Sequence, residues 1–117
     1  MTKVARVAAL EDLVSLRVPP AEAQRRLRAF GWDSDDELVT LTRRDLLRLL
    51  DEYLLGNLTN DDVEHWANAV EGRDDIGFEE ELEAVLKDMV FQLAAPEITA
   101  PLTPAAALEW KRRLDQS

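Results

Sequence analysis

The chain has 117 residues, of which 46% are hydrophobic and 32% charged, with a formal net charge of −10 and no cysteine. This fits one domain with one core and excludes disulfides, thiolate metal sites and cysteine nucleophiles. Four glycines and five prolines are too few for the many turns of a β-sandwich or barrel.

In chain order, Val7, Leu10, Leu13 and Val14 follow the i, i+3, i+4 spacing of a helix with one apolar face. Glu11 and Asp12 interrupt this apolar stretch, unlike the uncharged centre of a secretory signal. Nowhere does the chain approach the roughly 20 apolar residues that span a bilayer. The expectation is a cytoplasmic protein without membrane contact. Val18-Pro19-Pro20 opens a second helix with Glu22 near N3; Ala23, Leu27 and Phe30 line it and Gly31 is its expected stop. Residues 1–30, the basic N-terminal part, carry six basic and three acidic side chains.

Trp32-Asp33-Ser34-Asp35-Asp36-Glu37 reads either as a solvated turn or as an aromatic anchor with an acidic rim. Glu37–Leu41 is the one stretch with a strand-like pattern, and no second strand is expected to pair with it. Leu41-Thr42 starts a third helix: Thr suits the N-cap, Asp45 sits at N3, and Leu41 is placed to staple onto Leu46. Leu46, Leu49, Leu50, Tyr53 and Leu54 form its apolar face, and Gly56 stops it. Leu58-Thr59 repeats this logic seventeen residues later, with Asp62 at N3 and Val63, Trp66, Ala67 and Val70 on its apolar face; Trp66 reads as core, with an aromatic anchor for a partner as the alternative. Gly72 is the expected stop.

Arg73-Asp74-Asp75-Ile76-Gly77-Phe78 then reads as a helix connection or as a contact loop for a partner. Gly77, Glu79 and Glu80 are expected to open a fifth helix whose stripe is Phe78, Leu82, Val85, Leu86, Met89, Val90 and Leu93. A Pro-rich connection covers 95–102. Thr103-Pro104 opens a C-terminal helix over 103–115, lined by Ala107, Trp110 and Leu114. The fold class is therefore all-α: a bundle of about five to six short helices, one domain over 1–117, with its core in 42–93.

Chemistry-bearing motifs are scarce. His65 follows Asp61 and Asp62 on one helix edge, with no second cluster to close a metal site. A calcium loop with Gly72 or Gly77 at its sixth position would start at Ala67 or Gly72, where a carboxylate is required. Ser15, Ser34 and Thr40 lack a histidine partner in any motif, and no Gly-rich phosphate loop exists. No enzyme, cofactor or metal is expected. Arg17, Arg25, Arg26, Arg28, Arg43, Arg44 and Arg48 could suggest a nucleic-acid face. Asp45, Asp51 and Glu52 dilute them, so pairing with the acidic helices or flanking of the core is expected instead.

Residues 61–99 carry twelve acidic side chains against two basic ones, Arg73 and Lys87. Such a surface repels nucleic acid and anionic membrane and attracts basic proteins. The expected partner-binding residues are Asp61, Asp62, Glu64, Arg73, Asp74, Asp75, Glu79 and Glu80, with Glu81 beside them.

The segment LLRLLDEYLLGNLTNDDVEHWANAVE resembles the small, acidic, helical bacterial immunity proteins of the colicin-immunity type. There an aliphatic helix leads through "LT" or "IT" into a second helix. The likeness covers about residues 42–90, excludes the first forty residues and the Pro-rich tail, and carries over no binding residue. It implies a protein that occludes the basic active site of a nuclease toxin, its carboxylates standing in for phosphates. Two alternatives from the residues are a helical adaptor binding through an apolar face and a nucleic-acid-binding regulator.

Overall fold

The computed structural model describes residues 3–116; Met1, Thr2 and Ser117, part of the domain expected over 1–117, lie outside them. The described elements are α1 (Lys3–Val14), α2 (Pro20–Leu27), β1 (Val39–Leu41), α3 (Arg43–Leu54), α4 (Asn60–Val70), β2 (Ile76–Phe78), a 3-10 turn (Glu80–Leu82), α5 (Glu83–Ala94) and α6 (Pro104–Gln116). The fold is mostly helical, with one small two-stranded sheet.

Local chemistry sets most of the boundaries. Thr42 accepts the Asp45 N–H at 3.3 Å while its own N–H donates to the Asp45 carboxylate at 2.9 Å. Thr59 and Asp62 make the same reciprocal box at 3.1 and 2.9 Å. Each satisfies two backbone donors that a bare helix end leaves free. Thr103 accepts the Ala106 N–H at 3.1 Å behind Pro104. Gly56 and Gly72 stand at φ 85° and 79°, the left-handed stops their positions require. Gly31 does not take that conformation: α2 has ended at Leu27, with Arg28 still right-handed.

α4 packs between α2 and α5, α1 lies on α2, and α3 pairs with α6. The core is continuous, with Leu10, Leu13, Leu46, Leu49, Leu50, Leu86, Met89 and Leu114 completely buried. Trp66 is at its centre and donates its indole N–H to the Leu13 carbonyl at 2.9 Å. A buried Trp needs such a partner, and this one ties α4 to the end of α1. The Pro-rich connection is held at Leu102, whose carbonyl accepts from Asn60 Nδ2 at 2.7 Å and from the Tyr53 hydroxyl at 3.1 Å.

Two expectations are corrected. The strand-like stretch does have a partner: β1 pairs in parallel with β2, Val39 opposite Ile76, Thr40 opposite Gly77 and Leu41 opposite Phe78. α3 and α4 form the crossover that a parallel pair needs. Phe78 is accordingly strand, not helix, and α5 starts at Glu83 rather than near Gly77. The cause is local. Glu79 extends the ladder by donating its N–H to the Leu41 carbonyl at 2.9 Å, and its carboxylate accepts the Arg43 N–H at 2.9 Å. It thereby serves the N-terminus of α3, and a helix begins only after it.

Candidate functional site

Beside the sheet, three charged side chains from two distant parts of the chain converge. Asp75 is completely buried, and Arg73 forks onto it, Nε to Oδ1 at 2.8 Å and Nη2 to Oδ2 at 3.0 Å. Arg6 of α1 donates Nε to the same Oδ2 at 2.8 Å. Both arginines also donate to the Gly31 carbonyl, at 3.1 and 3.0 Å, and Arg6 reaches the Asp33 carbonyl at 3.0 Å. Burial alone would push the Asp75 carboxyl up; the hydrogen bonds and charges of Arg73 and Arg6 outweigh it and hold the group below the ordinary carboxylate value. Every buried polar side-chain atom among the described residues has a partner.

This knot fixes the loop between α2 and β1. The Asp75 carbonyl accepts from Leu38 and Val39 N–H at 2.8 and 3.2 Å, and Asp74 N–H donates to the Trp32 carbonyl at 3.1 Å. The Arg73 guanidinium lies 4.8 Å from the Trp32 ring, and Arg6 lies 6.0 Å from Phe30. Trp32 stays 49% exposed on this rigid seat.

The consequence is an acidic pole. Asp33, Asp35, Asp36 and Glu37 on one loop, and Glu71 and Asp74 on the other, are all exposed. Between the loops and α5 runs a groove of about 430 Å³. Glu37, Glu71 and Asp74 rim it, while Phe78 and Phe91 form its apolar wall. Phe91 is 45% exposed. Lys87 lies along the same wall, its Nζ 5.7 Å from the Phe78 ring and 3.6 Å from Glu83.

No family model, curated protein or solved structure matches the chain.

The eight expected partner-binding residues do not form one surface. Arg73 and Asp75 are buried, which corrects their assignment to an exposed contact loop: their hydrogen-bonding capacity is directed inward. Asp74 and Glu80 are exposed, and Glu79 is half-buried under the α3 N-terminus. Asp61 is exposed and Asp62 is committed to its cap. Both sit at the start of α4, whereas Asp74 follows its end. At about 1.5 Å per residue, α4 separates the two groups by roughly 15 Å. Glu64 is half-buried and faces a third region, beside Gln92, Leu93 and the Pro-rich connection.

Sequence reasoning missed Arg6, Glu71 and Phe91. Arg6 carries no local signal, since its partner is 69 residues away. Phe91 lies one residue off the buried stripe of α5, and this phase marks it as an outward aromatic.

Arg25, Arg26 and Arg48 pair within the first three helices and not with the acidic helices of 61–99. Arg26 meets Asp12 at 3.0 Å, Arg25 meets Glu22 at 3.4 Å, and Arg48 meets Asp45 at 3.0 Å. Among the described residues, no group of three or more acidic, histidine or cysteine side chains is placed to hold a metal, and no helix is long and apolar enough to cross a membrane.

Proposed function

We propose that this protein is an immunity- or inhibitor-type binding module that acts by covering the basic surface of another protein, such as the nucleic-acid cleft of a nuclease toxin. The supporting observation is the pole itself. Six exposed carboxylates stand on two loops, Trp32 is exposed on one of these loops, and Phe91 is exposed in the groove lined by Glu37, Glu71 and Asp74; a buried ionic knot fixes the loop that carries Trp32. Carboxylates spaced along a rigid loop suit a surface that otherwise receives phosphates. Rigid aromatics supply contact area at small entropic cost. Like-charge repulsion from phosphate makes the same pole unsuited to nucleic acid. The mode of action is occlusion, without catalysis or cofactor.

The pole replaces the acidic span 61–83 as the assigned surface; Asp61, Asp62 and Glu64 lie outside it. The test is paired capture from the source cell, with wild-type protein and with the variant Asp33→Asn, Asp36→Asn, Glu71→Gln, Asp74→Asn. All four side chains are exposed, so the fold is expected to persist. The expected outcome is a basic protein retained by the wild type and lost by the variant. Equal retention by both would overturn the assignment to this pole.

A further inference from the structure

We infer that the groove between the 71–78 segment and α5 is an arginine-side-chain pocket, and that Lys87 occupies its cation position in the free protein. The inference rests on the proposed binding of a basic protein partner and names the side chain that enters.

The groove combines two features that separately recognise a guanidinium. Glu37, Glu71 and Asp74 line it with Phe78 and Phe91; Arg73 lines it too, but its guanidinium is already forked onto the buried Asp75. A guanidinium stacks on an aromatic face while its planar fork donates to carboxylates; a lysine ammonium, as a point charge, exploits only part of this geometry. The volume of about 430 Å³ falls within the roughly 300–1,000 Å³ of small-ligand clefts.

A cation already lies against the aromatic wall. Lys87 Nζ is over Phe78, and its side chain is 58% exposed with only a 3.6 Å pair to the exposed Glu83. An exposed pair of this kind contributes little, so it gives way readily to a competing cation. Position 77 also fits. The Glu37 carboxylate lies across Gly77, where the Cβ of any other residue would displace it. Gly77 does not take a positive φ, so the glycine here provides room for a rim carboxylate rather than a turn.

The experiment is an NMR titration of isotope-labelled full-length protein with a short capped peptide containing one arginine between glycines. The same peptide with citrulline, the neutral isostere, serves as control. The expected result is saturable shifts of the 71–78 and 87–91 amides with the arginine peptide alone. Phe91→Ala and Gly77→Ala should each weaken binding about three- to tenfold, and Lys87→Met should tighten it. Phe91 is half-exposed and the Glu37 carboxylate is the flexible end of a side chain, so neither change threatens the fold.

Shifts confined to 33–36, insensitive to Phe91→Ala, would overturn the pocket and leave the acidic pole standing as a charge-only surface. Equal responses to arginine and citrulline would overturn the pocket as a cation site. Absence of any response to the arginine peptide would count against both.

Discussion

Asp75 shows how far a residue's role depends on contacts that sequence proximity does not reveal. Next to Asp74 in a short acidic loop it looks like a surface carboxylate, and only Arg6, 69 positions away, completes the arrangement that buries it. Removing one partner from a buried, hydrogen-bonded ion pair leaves the others uncompensated, at a cost of about 3–5 kcal/mol. Asp75→Ala should lower the unfolding free energy by that amount in denaturant titration; a loss under about 1 kcal/mol would show that the knot is not buried in solution. The pH dependence has a definite sign. The folded-state pKa lies below the ordinary value, so Asp75 contributes stability above about pH 4 that is lost as pH falls through its folded pKa. Asp75→Asn should flatten this acid limb in thermal melts at pH 2–5, leaving the neutral-pH destabilisation. Trp66, by contrast, was legible as core from helical phase alone, and its burial agrees. Trp66→Phe should cost about 0.5–1.5 kcal/mol for the lost indole hydrogen bond, since the Leu13 carbonyl keeps the longer 3.3 Å bond from the Leu16 N–H.

At the scale of elements, helix starts were readable because they are local. The Leu-Thr pairs, with Asp at N3, define their caps within four residues, and the structure forms both boxes as expected. Thr59→Ala should destabilise by about 1 kcal/mol, seen as a lower thermal midpoint by circular dichroism; an unchanged midpoint would mean that tertiary packing alone sets the α4 boundary. The sheet was not readable for the opposite reason. β2 is three residues long and contains a glycine, too short to show alternation, and it pairs with β1 only after α3 and α4 bring it back. That pairing moved Phe78 out of the expected fifth helix and delayed α5 to Glu83. It also set Glu37 over Gly77 and so formed one side of the candidate groove.

Across the whole molecule, the acidic excess was evident from composition, but its spatial arrangement was not. The sequence concentrates acid in 61–99, yet α4 carries Asp61 and Asp62 away from Asp74. Asp74 is instead tied to the 32–37 loop by its N–H bond to the Trp32 carbonyl, and the exposed carboxylates of 33–37, Glu71 and Asp74 lie on these two joined loops. Fixed loops, aromatic contact area and an excess of exposed carboxylates over the neighbouring Lys3, Arg6 and Lys87 together are what the proposed capture of a basic protein requires. Such capture is steered over distances set by the Debye length, which shrinks from roughly 30 Å at 0.01 M to about 8 Å at 0.15 M ionic strength.

The most direct measurement is the association rate of the captured basic partner across that salt range, for the wild type and for the variant neutralised at Asp33, Asp36, Glu71 and Asp74. A wild-type rate that falls at least about tenfold with salt, together with a slower and less salt-dependent variant, is the predicted result. Rates that are equal for the two proteins or independent of salt would contradict a binding role for the acidic pole.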